Sequence, residues 1–213
     1  AYPCAFLKRQ RDKGSPVYDP DQCGNDPSGT FEEYYRHLPA DQRRDLGGAG
    51  ESVKGESQMR VIVQRVQSSR VEIDGEVSGE IGQGLMVLLG ITEGDGQEQC
   101  DFLADKLVHL RIFTDEQEKM NLSLQDINGE MLIVSQFTLY GDCKKGRRPS
   151  FVAAARPETA VPLYEYFIDA VKRQGVKKVA TGQFGADMQV YIQNDGPVTL
   201  MLDTDEIMRR GAK

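Results

Sequence analysis

Residues Met59 to Ile91 read MRVIVQRVQSSRVEIDGEVSGEIGQGLMVLLGI, and this stretch decides the fold class. Its first nine residues are rich in β-branched side chains and alternate with the two-residue period of a half-buried strand. Asp74-Gly75 separates two further short strand patterns, which is a strong signal for a tight β-hairpin turn. The run from Leu85 to Ile91 is continuously apolar, as in a strand that is buried on both faces. The stretch therefore predicts a series of β-strands.

Two amphipathic helices are expected farther along the chain. Asp95 is a candidate N-cap for the first, with Glu98 three residues later as the partner in a capping box. Pro157 suits the first turn of the second helix, and Gly175 suits its end. The apolar stripes comprise Leu103, Leu107 and Leu110 in the first helix and Leu163, Phe167 and Val171 in the second.

Later segments return to strand patterns. Met131 to Phe137 is expected to be another buried strand, alternation marks the chain from Met188 to Ile192, and Val198 to Leu202 forms the last predicted strand. Many strands with two interspersed helices predict an α+β domain over residues 59–213. Its mostly antiparallel sheet is expected to be strongly curved or barrel-like.

The first 58 residues differ from the rest in composition. They contain seven Gly and five Pro but no Ile, and Leu, Val and Phe together contribute only seven residues. So few apolar side chains cannot offset the entropy of ordering the backbone, which predicts a mostly disordered extension. The same pattern also fits upstream sequence translated from a wrong start, because the domain pattern begins so cleanly at Met59.

Charge and hydropathy exclude several classes of protein. The net charge of −7 argues against a protein that coats nucleic acid through overall positive charge, although a local basic patch is compatible with it. No stretch approaches the roughly 18 consecutive apolar residues of a membrane span. The basic run from Lys8 to Arg11 follows the apolar residues Ala1 to Leu7, the reverse of the order in a secretory signal. A cytoplasmic location without membrane attachment is expected.

Metal and nucleophile chemistry find little support. The four cysteines, Cys4, Cys23, Cys100 and Cys143, form neither a CxxC motif nor a cluster with zinc spacing, so reduced thiols without a metal or cofactor are expected. His109 falls on the first predicted helix and His37 in the extension. A Ser-His-Asp or Cys-His mechanism needs a positioned base, and neither histidine is a good candidate.

Two segments are candidates for a functional site. In the first, Ser135 to Asp142 (SQFTLYGD), a buried strand runs into polar groups, and cations follow at Lys144, Lys145, Arg147 and Arg148. These cations favour a solvated turn when taken alone, but a phosphate contact when placed beside a polar strand end. The second segment, Asn194 to Thr199 (NDGPVT), favours a hairpin turn, although a Gly-Pro bond at a strand start can also be cis.

The same segments carry a resemblance to a known family. Residues 59–213 resemble the D-aminoacyl-tRNA deacylases, formerly called D-tyrosyl-tRNA deacylases, through MRVIVQRV, SQFTL (Ser135 to Leu139), GRRPSF (Gly146 to Phe151) and NDGPVT, in the family's order. The resemblance implies a homodimer that hydrolyses the ester between a D-amino acid and tRNA, and that also removes glycine from mischarged tRNA(Ala).

Roles for individual residues follow from this resemblance. Gly196 and Pro197 are implied to form a Gly-cis-Pro chirality filter that reaches into the partner's site, supported by Asn194 and Thr199. Catalysis is implied to be assisted by the 2′-hydroxyl of the tRNA, with an oxyanion hole from backbone N–H groups near Gln136, Phe137 and Thr138. Ser135 is expected to orient the loop. Thr138 is expected to position groups, with a nucleophilic role as the alternative.

Three other functions remain open from the sequence. One is a sister editing enzyme of the same fold that removes a misattached L-amino acid. Another is a non-catalytic tRNA-binding module, and the third is a serine or cysteine hydrolase that uses Ser135, Thr138 or Cys143. The four cations of the loop are expected to contact the acceptor stem of the tRNA.

Overall fold

The computed structural model describes residues 58–144 and 146–209. The elements are, in chain order, β1 (Arg60–Ile73), β2 (Glu76–Ile81), β3 (Gly84–Gly90), α1 (Gln97–Val108), β4 (Phe113–Thr114), β5 (Met120–Leu122), β6 (Glu130–Ser135), a 3₁₀ helix (Phe137–Tyr140), α2 (Pro157–Arg173), β7 (Val179–Thr181), β8 (Met188–Asp203) and α3 (Thr204–Arg209). Residues 1–57 lie outside the described residues, so the disorder expected of the extension stays a prediction.

Strand β1 organises the main sheet. It pairs antiparallel with β2, β3 and β8, while β3–β6 and β6–β7 are parallel pairs. A Cβ on Gly79 of β2 would lie 2.6 Å from the Thr181 carbonyl oxygen of β7, so the sheet curves until these two strands nearly meet. The predicted α+β fold with a barrel-like sheet is confirmed. A separate two-stranded sheet joins β4 to β5.

The strands follow the sequence pattern, except that in two places segments predicted as separate strands form one continuous strand. Asp74 and Gly75 adopt φ values of 53° and 85° and form the predicted hairpin turn between β1 and β2. The segments expected as separate strands within residues 59–73 form the single strand β1, and β8 is likewise continuous from Met188 to Asp203. Long paired strands leave fewer loops, so the candidate site segments are held within or directly beside the sheet.

Burial explains why β3 and β6 are apolar throughout. Alternate residues of each strand face two different cores: Leu85 and Met131 pack into the larger core, and Met86 and Leu132 into the smaller one. The helices cover the larger core with a set of fully buried side chains, namely Leu103, Leu107, Phe167 and Val171. Leu110 and Leu163 pack against this core only partly buried, and Leu110 lies beyond the end of α1.

Two local expectations are wrong. Gly96, not Asp95, precedes the first turn of α1, and the Gln99 side chain accepts a hydrogen bond from the Gly96 N–H (2.9 Å). The Asp95 carboxylate instead accepts from the Gln58 and Thr92 N–H groups (2.8 Å each), because these backbone donors compete for it with the helix start. The Pro157 start of α2 and the left-handed Gly175 after its end are confirmed.

The second error concerns the end of β6. The strand stops at Ser135, and Phe137 belongs to the 3₁₀ helix instead of the buried strand expected from Met131 to Phe137. Phe137 is 58% exposed, so this apolar residue belongs to neither a buried strand nor the hydrophobic core. The short helix α3 after β8 is also additional to the two helices expected. These changes turn the chain at Ser135 and expose the residues that follow it.

Candidate active site

The segment Ser135 to Thr138 lies where β6 ends and the 3₁₀ helix begins. Ser135 pairs with Leu89 of β3, and the Gln136 N–H donates a hydrogen bond to the Leu89 carbonyl oxygen (2.7 Å). Gly90 lies beneath the turn, and a Cβ there would be 3.0 Å from Tyr140 Cε2 and 3.2 Å from the Gln136 carbonyl oxygen. The absence of a side chain at Gly90 therefore lets the turn rest directly on the end of β3.

Two backbone donors at this turn have no partner within residues 58–144 and 146–209. The N–H groups of Phe137 and Thr138 open the 3₁₀ helix, where no preceding turn supplies an acceptor. The Gln136 N–H is already bonded to Leu89, while those of Leu139 and Gly141 donate to carbonyls of the same turn. Two adjacent unbonded donors at a helix start form a suitable cradle for an oxygen that carries negative charge.

The side chains of the segment are polar but lack a base. Gln136 Nε2 donates to Thr138 Oγ1 (2.5 Å), Thr138 is exposed and Ser135 is half-buried. His109 ends α1, and its Nδ1 lies 2.9 Å from the Asp105 carbonyl oxygen of that helix. Within the described part of the chain, no contact joins this imidazole to Ser135, Thr138 or Cys143. His37 lies outside the described residues.

A cavity of about 250 Å³ adjoins the segment. Its walls are mostly apolar and come from β3, β6, the start of α2 and the chain that enters β8. The lining residues are Leu89, Ile91, Val134, Ser135, Gln136, Phe137, Ala155, Ala160, Phe184, Gly185, Ala186, Met188 and Val190. An apolar pocket with a few polar groups at one edge is the usual form of a small-ligand site.

The loop that carries Lys144, Lys145, Arg147 and Arg148, called the cationic loop below, follows the 3₁₀ helix directly. Backbone hydrogen bonds between Asp142 and Ser150 (2.7 and 2.9 Å) close the base of the loop. Phe151 then packs edge to face on Phe137, with ring centroids 5.2 Å apart. Lys144, Arg147 and Arg148 are exposed, and Lys145 lies outside the described residues. The structure therefore brings the SQFT segment and three of the four predicted cations to one end of the sheet.

The segment Asn194 to Thr199 does not form the hairpin turn that the residues alone favour. It lies within β8, where the pairing with β1 shifts register, and the Gly196–Pro197 peptide bond is cis. Asn194 folds back on the segment: its Oδ1 accepts from the Val198 N–H (2.8 Å), and its Nδ2 donates to the Val198 carbonyl oxygen (3.1 Å). Thr199 Oγ1 accepts from Gln64 Nε2 (3.0 Å). Gly196 and Pro197 are exposed.

Arg65 holds this segment from the sheet side. Its Nε lies 3.0 Å from both the carbonyl oxygen and the carboxylate Oδ2 of Asp195, and its Nη1 donates to the Ile112 carbonyl oxygen (2.6 Å). Arg65 is only 7% exposed. The sequence contained a signal for this role, because the alternation that buries Val61 and Val63 also turns Arg65 inward. A charge on a buried face requires a partner.

One chain does not bring the two candidate segments together. In register, Ser135 pairs with Leu89, Leu89 with Val61, and Val61 with Leu202. Pro197 lies five residues before Leu202 on β8. With spacings of ~4.8 Å between strands and ~3.3 Å between residues, Ser135 and Pro197 lie roughly 20 Å apart along the sheet.

Comparison with known proteins identifies the family. The sequence model for D-Tyr-tRNA(Tyr) deacylase matches residues 62–203. A D-aminoacyl-tRNA deacylase from Clostridium botulinum (strain Loch Maree / Type A3) is 60% identical over 146 residues, which cover 68% of this chain and 97% of that protein. The chain belongs to the D-aminoacyl-tRNA deacylase family. A deacylase is a hydrolase, so the chain is an enzyme of the hydrolase class.

Other relatives of this deacylase match it over a similar share of the chain. The D-aminoacyl-tRNA deacylase of Thermosipho africanus is 56% identical over 70% of this chain and 99% of its own length. A solved structure of a c-Myc DNA unwinding element binding protein is 40% identical, has a TM-score of 0.63, and covers 67% of this chain and 97% of that one. A structure described as "a probable eukaryotic D-amino acid tRNA deacylase" (22% identity, TM-score 0.60, 68% and 99% coverage) shares the fold.

The described part of this deacylase contains two free cysteines, Cys100 and Cys143. No group of three or more His, Cys, Asp or Glu side chains there could hold a metal ion. Burial raises the pKa of the Cys100 thiol to about 12, which keeps it protonated and unreactive, whereas Cys143 is exposed. Cys4 and Cys23 lie outside the described residues. None of the described helices has the length and apolar character needed to cross a membrane.

Proposed function

We propose that this protein hydrolyses the ester that joins a D-amino acid to the 3′ end of tRNA. Water adds to the ester carbonyl, the bond to the ribose oxygen breaks, and the products are the free D-amino acid and uncharged tRNA. The observation that carries the proposal is the pair of unbonded N–H groups of Phe137 and Thr138, next to the cavity that Phe137 helps to line and within the segment that the family shares.

The two N–H groups supply the oxyanion hole. As water attacks, the carbonyl oxygen of the ester becomes negatively charged, and preorganised donors stabilise that charge more than the ground state. One such donor contributes roughly 3–4 kcal/mol to lowering the barrier. The turn is preorganised because Gln136 is bonded to Leu89 and Gly90 leaves it seated on β3. The Gln136 N–H is therefore a support for the hole and not one of its donors.

The tRNA supplies the group that activates water. An aminoacyl ester is already activated, and the 2′-hydroxyl of the terminal adenosine lies next to the ester oxygen in any aminoacyl-tRNA. Substrate-assisted attack of this kind needs no protein base, which agrees with the position of His109 away from the turn at the end of α1. Ser135 and Gln136 then orient the turn, and Thr138 positions water or substrate.

We expect Thr138→Ala to lose only part of the activity, about tenfold in the single-turnover rate of D-tyrosyl-tRNA hydrolysis. The backbone N–H of residue 138 remains, so the oxyanion hole is kept and only the hydroxyl and its bond from Gln136 are removed. Ser78→Ala, on the exposed surface of β2, is the control. Complete loss of hydrolysis with intact tRNA binding would instead indicate a covalent mechanism at Thr138.

The chirality filter comes from a second copy of the chain. Gly196 and Pro197 are exposed on β8 and lie roughly 20 Å along the sheet from Ser135 of their own chain, so a homodimer supplies the filter to the partner's oxyanion hole. The apolar surface of β8 supports such an interface, because Ile192, Leu200 and Met201 are 38%, 39% and 67% exposed.

Backbone atoms suit a filter that reads handedness only. The carbonyl oxygens of Gly196 and Pro197 hold the amino group of the substrate, so that an L side chain collides with the wall and a D side chain points outward. Such rejection by collision accepts many side chains without a pocket for each. Arg65 on Asp195 and the bonds of Asn194 to Val198 fix the segment that carries these carbonyls.

The cationic loop binds the acceptor stem of the tRNA. We expect the double variant Arg147→Glu/Arg148→Glu to weaken tRNA binding and to reduce the slope of log Kd against log salt by about 2, or more where like-charge repulsion adds. The control is Lys106→Glu/Lys172→Glu, which changes the net charge equally but on exposed positions of the two helices. Unchanged affinity and salt slope in the loop variant would remove these arginines from the interface.

The finer features of the function rest on the family resemblance. These are removal of glycine from tRNA(Ala), rejection of L-aminoacyl-tRNA, a cytoplasmic location, and confinement of catalysis to residues 59–213. The match over residues 62–203 supports the last of these. Glycine has no side chain to collide with the filter, so a site that excludes L side chains by collision also admits a glycyl ester.

A further inference from the structure

Arg60, the first residue of β1, joins the end of the main sheet to the 3₁₀ helix. Its Nε lies 3.0 Å from the Asp203 carboxylate, which is opposite it on β8. Its Nη1 donates to the Leu139 carbonyl oxygen (3.0 Å), and the guanidinium carbon lies 5.0 Å from the centre of the Tyr140 ring. One side chain thus contacts a strand end and both of the last two residues of the turn.

The partners of Arg60 are themselves fixed. Asp203 is 6% exposed and also accepts from Gln58 Nε2 and from the Asp205 N–H (3.0 Å each). The Tyr140 hydroxyl donates to the Gln58 carbonyl oxygen (2.8 Å), and the Tyr140 ring is buried. Because each group is held by at least two contacts, the Arg60 fork is preorganised and Leu139 cannot move without breaking a charge-assisted bond.

This network holds the C-terminal side of the turn that carries the oxyanion donors. On the N-terminal side, the Gln136 N–H is bonded to the Leu89 carbonyl oxygen. On the C-terminal side, the Leu139 carbonyl oxygen is bonded to Arg60. Between these two anchors lie Phe137 and Thr138. Donors in such a site must hold their direction within about 10–20°, and a last-turn carbonyl with no partner allows the short helix to unwind.

We propose that Arg60 is a positioning residue for ester hydrolysis, which orients the Phe137 and Thr138 N–H groups by holding the Leu139 carbonyl oxygen. The inference rests on the proposed function. Arg60 has no role in the chemistry itself, and its effect is transmitted through the backbone of the 3₁₀ helix. Loss of the guanidinium therefore lowers kcat and leaves KM for the tRNA nearly unchanged.

The test uses the full chain with Arg60→Gln and Arg60→Lys. Steady-state hydrolysis of D-tyrosyl-tRNA gives kcat and KM, and amide hydrogen exchange over residues 136–141 reports the order of the turn. We expect Arg60→Gln to lower kcat about 10- to 100-fold, with KM changed less than about threefold, and to speed exchange at Leu139 and Gly141. Lysine keeps the positive charge but lacks the planar guanidinium that contacts Asp203 and Leu139 at once, so Arg60→Lys is expected to be intermediate.

Arg173→Gln is the matched control. Arg173 also pairs with an aspartate, Asp101 (3.2 Å), and also lies 5.0 Å from the centre of a tyrosine ring, that of Tyr166, but it is exposed on α2. It is expected to leave kcat and exchange in the turn unchanged. If Arg60→Gln fails to fold, Arg60→Lys and Tyr140→Phe carry the test. Tyr140→Phe removes the bond from the Tyr140 hydroxyl to Gln58, which helps to hold the ring that Arg60 contacts.

Two results would overturn the proposal. One is a wild-type kcat in the folded Arg60 variants. The other is a raised KM together with a changed salt dependence of tRNA binding and unchanged amide hydrogen exchange in the turn, which would make Arg60 a direct contact of the tRNA. A wild-type chain that leaves D-tyrosyl-tRNA intact would refute the proposed function instead. In that case the exchange data alone still show whether Arg60 fixes the turn.

Discussion

We expect Gly196→Ala to lower kcat/KM for D-tyrosyl-tRNA about 100-fold. Gly196 has φ near +130°, a region that L side chains rarely adopt, and a Cβ there would lie 2.8 Å from Val198 Cγ2 and 3.1 Å from Arg65 Nη2. The backbone from Asp195 to Pro197 must therefore shift, and the carbonyl oxygens assigned to the substrate amino group shift with it. The measurement is the single-turnover rate on D- and L-tyrosyl-tRNA at several enzyme concentrations.

Gly175→Ala is the control for the backbone effect. Gly175 also has a positive φ (80°), but it follows the end of α2, and no neighbour among the described residues would lie within 4 Å of a Cβ added there. It is expected to lose some stability and to keep the activity. A Gly196→Ala enzyme that hydrolyses the D ester at the wild-type rate and still spares the L ester would exclude the segment from the site.

The second large effect is expected for Arg65→Met. The substitution leaves the Asp195 carboxylate and the Asp195 and Ile112 carbonyl oxygens without their donor in a mostly buried place. Removing one partner from such a group is expected to lower the free energy of unfolding by about 3 kcal/mol, with partial relief because Asp195 is 32% exposed. Urea unfolding at a fixed protein concentration measures this loss, and kcat/KM for the folded fraction is expected to fall as well.

Arg70→Met is the matched control on the same strand. Arg70 pairs with Glu72 (2.7 Å) and lies over the Tyr191 ring, but its side chain is 46% exposed. A pair so open to water is expected to contribute less than about 1 kcal/mol. Equal stability of Arg65→Met and Arg70→Met would show that the buried guanidinium does not support the Gly196–Pro197 segment.

The sequence predicted the elements whose signals are local. Asp74-Gly75 forms its hairpin because both residues tolerate positive φ, and Pro157 and Gly175 bound α2 because each suits one end of a helix. The apolar run of β3 was recognisable because both of its faces meet a core. Each of these elements depends on residues within a few positions of each other.

The errors arose where distant parts of the chain compete. Asp95 does not cap α1, because Gln58 and Thr92 donate to its carboxylate. Asn194 to Thr199 is not a turn, because its pairing with β1 continues on both sides of a register shift. Arg65 could be recognised as buried from the alternation of β1, but its partners Asp195 and Ile112 lie 130 and 47 residues away and follow only from the fold.

The site was predicted only in part from the residues themselves. A polar strand end followed by cations was visible in the sequence, and the structure places the SQFT segment and the loop next to each other. Which backbone N–H groups remain unbonded was not predictable, because it depends on the Leu89 carbonyl oxygen reaching Gln136 and on the 3₁₀ helix that follows. Donor direction is a property of this turn and not of its residue types.

Deacylation of matched D-tyrosyl-tRNA and L-tyrosyl-tRNA by the full chain, treated to remove metal ions, tests the central claim most directly. A second chain that starts at Met59 reports whether the first 58 residues contribute. We predict rapid loss of the D ester with the L ester spared, at equal rates in both chains. Loss of neither ester, with tRNA still bound, would contradict the claim and favour a binding module, and preferential loss of an L ester would favour the sister editing activity.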